Sequence, residues 1–214
     1  MKHKIEKNTV QETLILPLYS RKLCTELYPN LYQDETAVRL IDEIDYDFSE
    51  AEKNSRSLMQ RFGALEVAMR QNDLAWEVRD YLKTHPSAAV FFASGVFYYF
   101  LTQQVKALVQ QMADAFSGGV LVFDAANRTA VKMIAKTWLR TAKIKDVGAY
   151  FAVSDAPKEI GEWDNRLQVT SRGYMLGYND LRDTSVSGFF RFLARVGDNG
   201  MKMQIVKIRF GGKA

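Results

Sequence analysis

Apolar positions recur at helical spacing through the first eighty residues and then, near Pro86, give way to short unbroken runs. Over 35–44, Ala37, Val38, Ile41 and Ile44 fall on one face, which predicts an amphipathic helix. Asp34 stands just before it, where a carboxylate accepts from the first amides. A second helix is predicted over 57–70 and a third over 73–83. In the third, Leu74, Val78, Tyr81 and Leu82 follow i, i+4, i+7, i+8 spacing, with Asn72 or Asp73 as cap and Pro86 past the end. Residues 1–84 thus read as a helical region.

Residues 85–214 read as α/β. The run 88–93 is apolar without alternation, the pattern of a parallel strand covered on both faces. Thr102 is the expected cap of a helix whose Val105, Leu108, Val109, Met112 and Phe116 form its inner stripe. Gly118-Gly119 supply a left-handed exit, and 120–123 is a second buried strand. A strand–helix–strand unit of parallel type makes a right-handed crossover the default. A further helix opens at Thr129, with Val131, Ile134, Trp138 and Leu139 inward. Short strands are expected at 167–170 and, after Asp198-Asn199-Gly200, at 201–210. Residues 189–195 are read as helix. A sheet of four or so strands is expected.

Composition narrows the function. At 214 residues, 47% hydrophobic and 25% charged, the chain has the make-up of one globular domain, or one with an appendage. The net charge of +4 comes from dispersed lysines and arginines, with no basic stripe, so no nucleic-acid partner is expected. The longest apolar run, 90–101, is short of the roughly 20 residues a membrane helix needs. One cysteine, Cys24, permits no intrachain disulfide, and the expected location is the cytoplasm. His3 and His85 are isolated, so no metal site is expected. Ser87 lacks a nucleophile elbow, and Gly118-Gly119 precede a strand, so they make no nucleotide loop. Trp76, Trp138 and Trp163 read as packing.

Three blocks carry a resemblance. They are Leu18-Tyr-Ser-Arg-Lys-Leu-Cys through Asp34-Glu-Thr-Ala, Met69-Arg-Gln-Asn-Asp-Leu-Ala-Trp, and Ser94-Gly-Val-Phe-Tyr-Tyr-Phe through Asp124. In this order they resemble the leucine carboxyl methyltransferase family and its bacterial small-molecule O-methyltransferase relatives, over nearly the whole chain. The resemblance implies an incomplete, Rossmann-like methyltransferase sheet whose last strand, 201–210, is antiparallel to its neighbours, with residues 1–84 as an N-terminal helical cap over the sheet's carboxyl edge. It implies S-adenosylmethionine (SAM) as cofactor and transfer of a methyl group to a carboxylate or hydroxyl of a small-molecule acceptor. Two departures stand out. Ser94 replaces the family's usual Glu, and everything the family places between its first and fourth strands is missing. That stretch holds the glycine loop and acidic residues that grip the cofactor, and would amount to two βαβ-sized pieces of about 30 residues each. Its absence implies impaired activity. The alternative is a non-catalytic remnant or partner-binding module.

The resemblance assigns cofactor contacts to Arg70, to Arg21 or Lys22 as a basic group from the cap, and to Ala93, Ser94 and Gly95 at a strand's carboxyl end, where open α/β sheets place ligands. A guanidinium suits the SAM carboxylate because it donates in a fork. Tyr98, Tyr99 and Asp124 are candidates for the acceptor pocket. Each has a plainer reading: a solvated charge for Arg21, Lys22 and Arg70, a tight strand exit for Gly95, and packing for the two tyrosines. For Asp124 the plainer reading is a cap on the loop 127–129. No catalytic base is identified. Removing the first half of such a sheet leaves 88–94 as an apolar edge, which predicts self-association.

Overall fold

The computed structural model describes residues 2–7, 9–88, 90–134, 136, 148–183 and 185–211. Four strands form one mixed sheet: β3 (Phe91–Ala93), β4 (Val120–Ala125), β5 (Leu167–Gly173) and β6 (Gln204–Phe210), in the order β3-β4-β6-β5. β3 and β4 are parallel, and β6 runs antiparallel to both β4 and β5. The four strands fall where strands are expected, β5 running on to Gly173 and β4 to Ala125, and the final one is reversed as the resemblance implies. Two further strands, β1 (His3–Lys4) and β2 (Ile44–Asp45), make a small parallel pair that the two-residue lengths hide from any periodicity.

The sheet's two faces are written in the alternation of β4. Val120 and Val122 join one core with the long helix α5 (Leu58–Thr84) and with Phe190 and Ala194 of α9 (Gly188–Arg195). Leu121, Phe123 and Ala125 join the other, with Val105, Val109 and Met112 of α6 (Thr102–Ala115) and Ile160 of α8 (Ala156–Gly161). The molecule is therefore mixed α/β with helices on both sheet faces. The cap comprises α1 (Val10–Thr13), α2 (Ile15–Leu27), α3 (Glu35–Glu43) and α4 (Ser49–Asn54), and α2 packs along α5. Asp34 caps α3 as expected, accepting from Ala37 N at 2.8 Å. Among the described residues, no helix is long and apolar enough to cross a membrane.

Several expectations are corrected. The two helices of 57–70 and 73–83 are one, α5, capped by Ser57, and it ends at Thr84 ahead of Pro86. Asp73 does not cap anything: it is 1% exposed in mid-helix and accepts from Asn179 Nδ2 at 3.0 Å. Tertiary partners satisfy a side chain that local rules assign to a helix start. β3 is shorter than 88–93, of which Ala89 lies outside the described residues. It is not covered on both faces either, since Phe92 is 53% exposed. Among the described residues it is the end strand of the sheet, with β4 as its one strand neighbour. In α6 the first residue is Thr102 itself, and Gln104 Oε1 accepts from Leu101 N. Leu108 and Phe116 are exposed, the latter lying against Phe91 with ring centroids 4.9 Å apart. Residues 201–203 precede β6 and belong to the turn that follows α9, where Val196–Gly200 make one π-type turn.

Helix α7 (Arg128–Ile134) is capped by Asn127, whose Oδ1 accepts from Ala130 N, and Thr129 lies inside it. Val131 is buried, while the Ile134 side chain, Trp138 and Leu139 lie outside the described residues. Gly118 has φ +79°, the left-handed exit expected there. Trp163 packs beside the second core, whereas Trp76 leans edge-on to Tyr178 and stays 43% exposed.

Candidate functional site

The side chain of Asp124 points from β4 to the α5 face, the same face as Val120 and Val122, which is why it meets Arg70. It is fully buried, accepts from Gly95 N at 2.6 Å and pairs with Arg70 Nη1 at 3.3 Å. Asp124 thus ties the carboxyl end of β3 to the middle of α5, and it caps nothing in the loop 127–129. Gly95 has φ +67°, the left-handed conformation that favours glycine, while a Cβ there would meet Arg70 Nη2 only at an ordinary contact distance of 3.6 Å, so the glycine serves the turn.

Arg70 is nearly buried, and its Nε has no hydrogen-bond partner. Burial alone lowers its pKa, but the adjacent Asp124, with Tyr174, Tyr98 and Glu66, more than offsets this and holds the guanidinium charged. One helical turn earlier, Glu66 accepts from the Tyr174 hydroxyl at 3.1 Å. Burial raises its pKa, against the opposing pull of Arg70 and Tyr174. Burial also raises Tyr98 and Tyr174 well above the usual phenol range, followed by Asp124 for Tyr98 and Glu66 for Tyr174, so both are O–H donors at neutral pH.

A cavity of about 350 Å³ opens over this cluster, between the cap and the carboxyl end of β3. Arg21, Arg70, Ser94, Gly95, Tyr98 and Tyr99 all line it, with Glu66, Gln71 and an apolar wall that includes Leu14, Leu16 and Leu18. Its size falls within the range of small-molecule sites. Six of the nine candidates are therefore brought to one place, and Asp124 stands directly behind them. Lys22 is not: its Nζ pairs with Glu26 at 2.7 Å and lies over the Tyr19 ring. Ala93 does not line the cavity either; it packs against the opposite core. Arg21 reaches the cavity with its charge already matched by Asp34, which accepts from its Nε at 2.8 Å and from Tyr32 Oη at 3.0 Å. Sequence reasoning missed Glu66 and Tyr174. The i, i+4 spacing of Glu66 and Arg70 was the available signal, whereas Tyr174 reaches Glu66 across 108 residues.

The arrangement suits recognition more than bond-making. Arg70 offers donors to a carboxylate, and Glu66 offers an acceptor that an incoming ammonium would hold ionised. Among the described residues, no three histidine, cysteine, aspartate or glutamate side chains converge on a metal position. No family model matches the chain, and no curated protein or solved structure matches it either.

Proposed function

We propose that this chain is a relative of the SAM-dependent O-methyltransferases that keeps the amino-acid end of the cofactor site, lacks the nucleoside end, and binds a small zwitterion without transferring a methyl group. The observation that carries this reading is the cavity beneath the helical cap. Arg70 and Glu66, one turn apart on α5, present a guanidinium and a carboxyl group to the same space that Ser94 and Gly95 border at a strand's carboxyl end. The reversed final strand, β6, is the sheet feature that the resemblance implies, and it supports the same descent. The glycine loop and acidic ribose contacts of the family have no counterpart in the chain. One charge-assisted contact contributes roughly 1.5–3 kcal/mol, against about 8 kcal/mol for micromolar binding. Zwitterion affinity is accordingly expected in the millimolar range.

Titration with L-methionine, followed by amide NMR, tests this. The Ser94 and Gly95 resonances are expected to shift saturably. The shifts should vanish in Ala149→Trp, which fills the cavity from a lining position and leaves Arg70 and Asp124 themselves unchanged. Shifts scattered over the surface, or unchanged in Ala149→Trp, would contradict the assignment.

A further inference from the structure

The two ends of the sheet are built differently. β5 is seven residues long and its outer positions include Gln168, Thr170 and Arg172, the polar and charged dressing with which folded proteins discourage edge pairing. β3 carries Phe91 and Phe92 at 39% and 53% exposure, and from Pro86 to Val105 the chain has no charged side chain. A strand hydrogen-bonded on one side leaves alternate N–H and C=O groups facing outward. The neighbouring helix continues the same character: Leu101, Gln104, Leu108 and Gln111, spaced three and four apart, are all exposed and uncharged.

We propose that β3 is a homodimer interface, pairing antiparallel with β3 of a second copy about a twofold axis near Phe92. Three observations select a second copy as the occupant. An isologous contact sets each residue opposite itself or a near neighbour, and an edge without charges sets no like charges face to face. Phe91, Phe92, Phe100, Leu101, Leu108 and Phe116 are each between about two-fifths and a half exposed. At roughly 150–250 Å² for a large side chain, that is on the order of 500 Å² of apolar surface, much of the ~800 Å² per partner of a specific interface. The polar β5 edge closes the assembly at two copies, because it does not repeat the contact. Antiparallel pairing points the two carboxyl edges in opposite directions, so each cavity remains complete within its own chain. The inference therefore stands apart from the ligand reading.

Sedimentation equilibrium of the full chain should give a dimer at micromolar concentration. Phe92→Lys, which opposes two cations across the axis, should weaken dimerisation at least tenfold while keeping the wild-type circular dichroism. Phe92→Thr, a strand-compatible polar substitution, should do the same where the lysine variant folds poorly. Phe92→Cys should give a covalent dimer with a short bis-maleimide, whereas Gln168→Cys at the opposite edge should not; Cys24 is buried and does not compete. A wild-type monomer at tens of micromolar, an open series of oligomers, or a dimer unaffected by both Phe92 substitutions would overturn the proposal.

Discussion

Replacing Asp124 by alanine should be among the most damaging single changes to this protein. Its carboxylate is fully buried and holds two groups: the Arg70 guanidinium at 3.3 Å and the Gly95 amide at 2.6 Å. Removing one partner of a buried ion pair costs roughly 3–5 kcal/mol, because the remaining charge is left uncompensated. Glu66 lies near enough to Arg70 to offset part of that, while the orphaned Gly95 amide adds roughly 1 kcal/mol or more. The net expectation is about 4 kcal/mol, or a fall in Tm of roughly 8–16 °C for a chain of this length. Asp124→Asn keeps an acceptor for Gly95 and should cost about half as much. The double variant Asp124→Ala, Arg70→Met removes both charges and should be less destabilised than the sum of its singles by about 2 kcal/mol or more. Urea unfolding of the four proteins measures each term. A loss below 1 kcal/mol in Asp124→Ala, or strict additivity in the double variant, would refute the view of Asp124 as the hub joining β3, β4 and α5.

Asp73 supplies a pH test. Burial pushes its carboxyl up to about 8, and its Oδ2 has no partner, so the folded state holds it protonated. A folded pKa above the unfolded value of about 3.9 gives stability that is complete below the unfolded pKa and lost as pH rises through the folded one. Relative to Asp73→Asn, the wild type should lose up to about 1.4 kcal/mol per pH unit between roughly pH 4 and 8, and parallel stability curves would contradict this. Gly95→Ala should cost roughly 1–2 kcal/mol from its positive φ, and an unchanged unfolding midpoint would count against that.

Much of the sheet was legible because β4 opens as an apolar run after Gly118-Gly119 and β6 is rich in β-branched and apolar residues between the Asp198-Asn199-Gly200 turn and Gly211. The reversed direction of β6 came from the family resemblance, not from its own residues. The length of α5 was not legible. Asn72-Asp73 reads locally as a helix start, and only the long-range bond from Asn179 to Asp73 shows why the helix continues. β3 misled in the opposite sense: an unbroken apolar run signals burial, yet its position at the end of the sheet leaves Phe91 and Phe92 partly exposed. At the site, Arg70, Ser94 and Gly95 were found through the resemblance. The partnership of Asp124 with both Arg70 and Gly95 joins positions 54 and 29 residues apart and has no local signature. Lys22 failed as a candidate because its i, i+4 neighbour Glu26 already satisfies it.

The central claim, an amino-acid pocket without a nucleoside pocket, is tested most directly by comparing calorimetric titrations of SAM and L-methionine into the same protein. If the adenosine portion finds no grip, the two ligands should bind with affinities within about threefold of each other, both weaker than micromolar, a free-energy difference under about 0.7 kcal/mol. SAM binding at micromolar Kd and a hundredfold or more tighter than L-methionine, corresponding to about 2.7 kcal/mol or more from the nucleoside, would contradict the account and return the chain to the active methyltransferases.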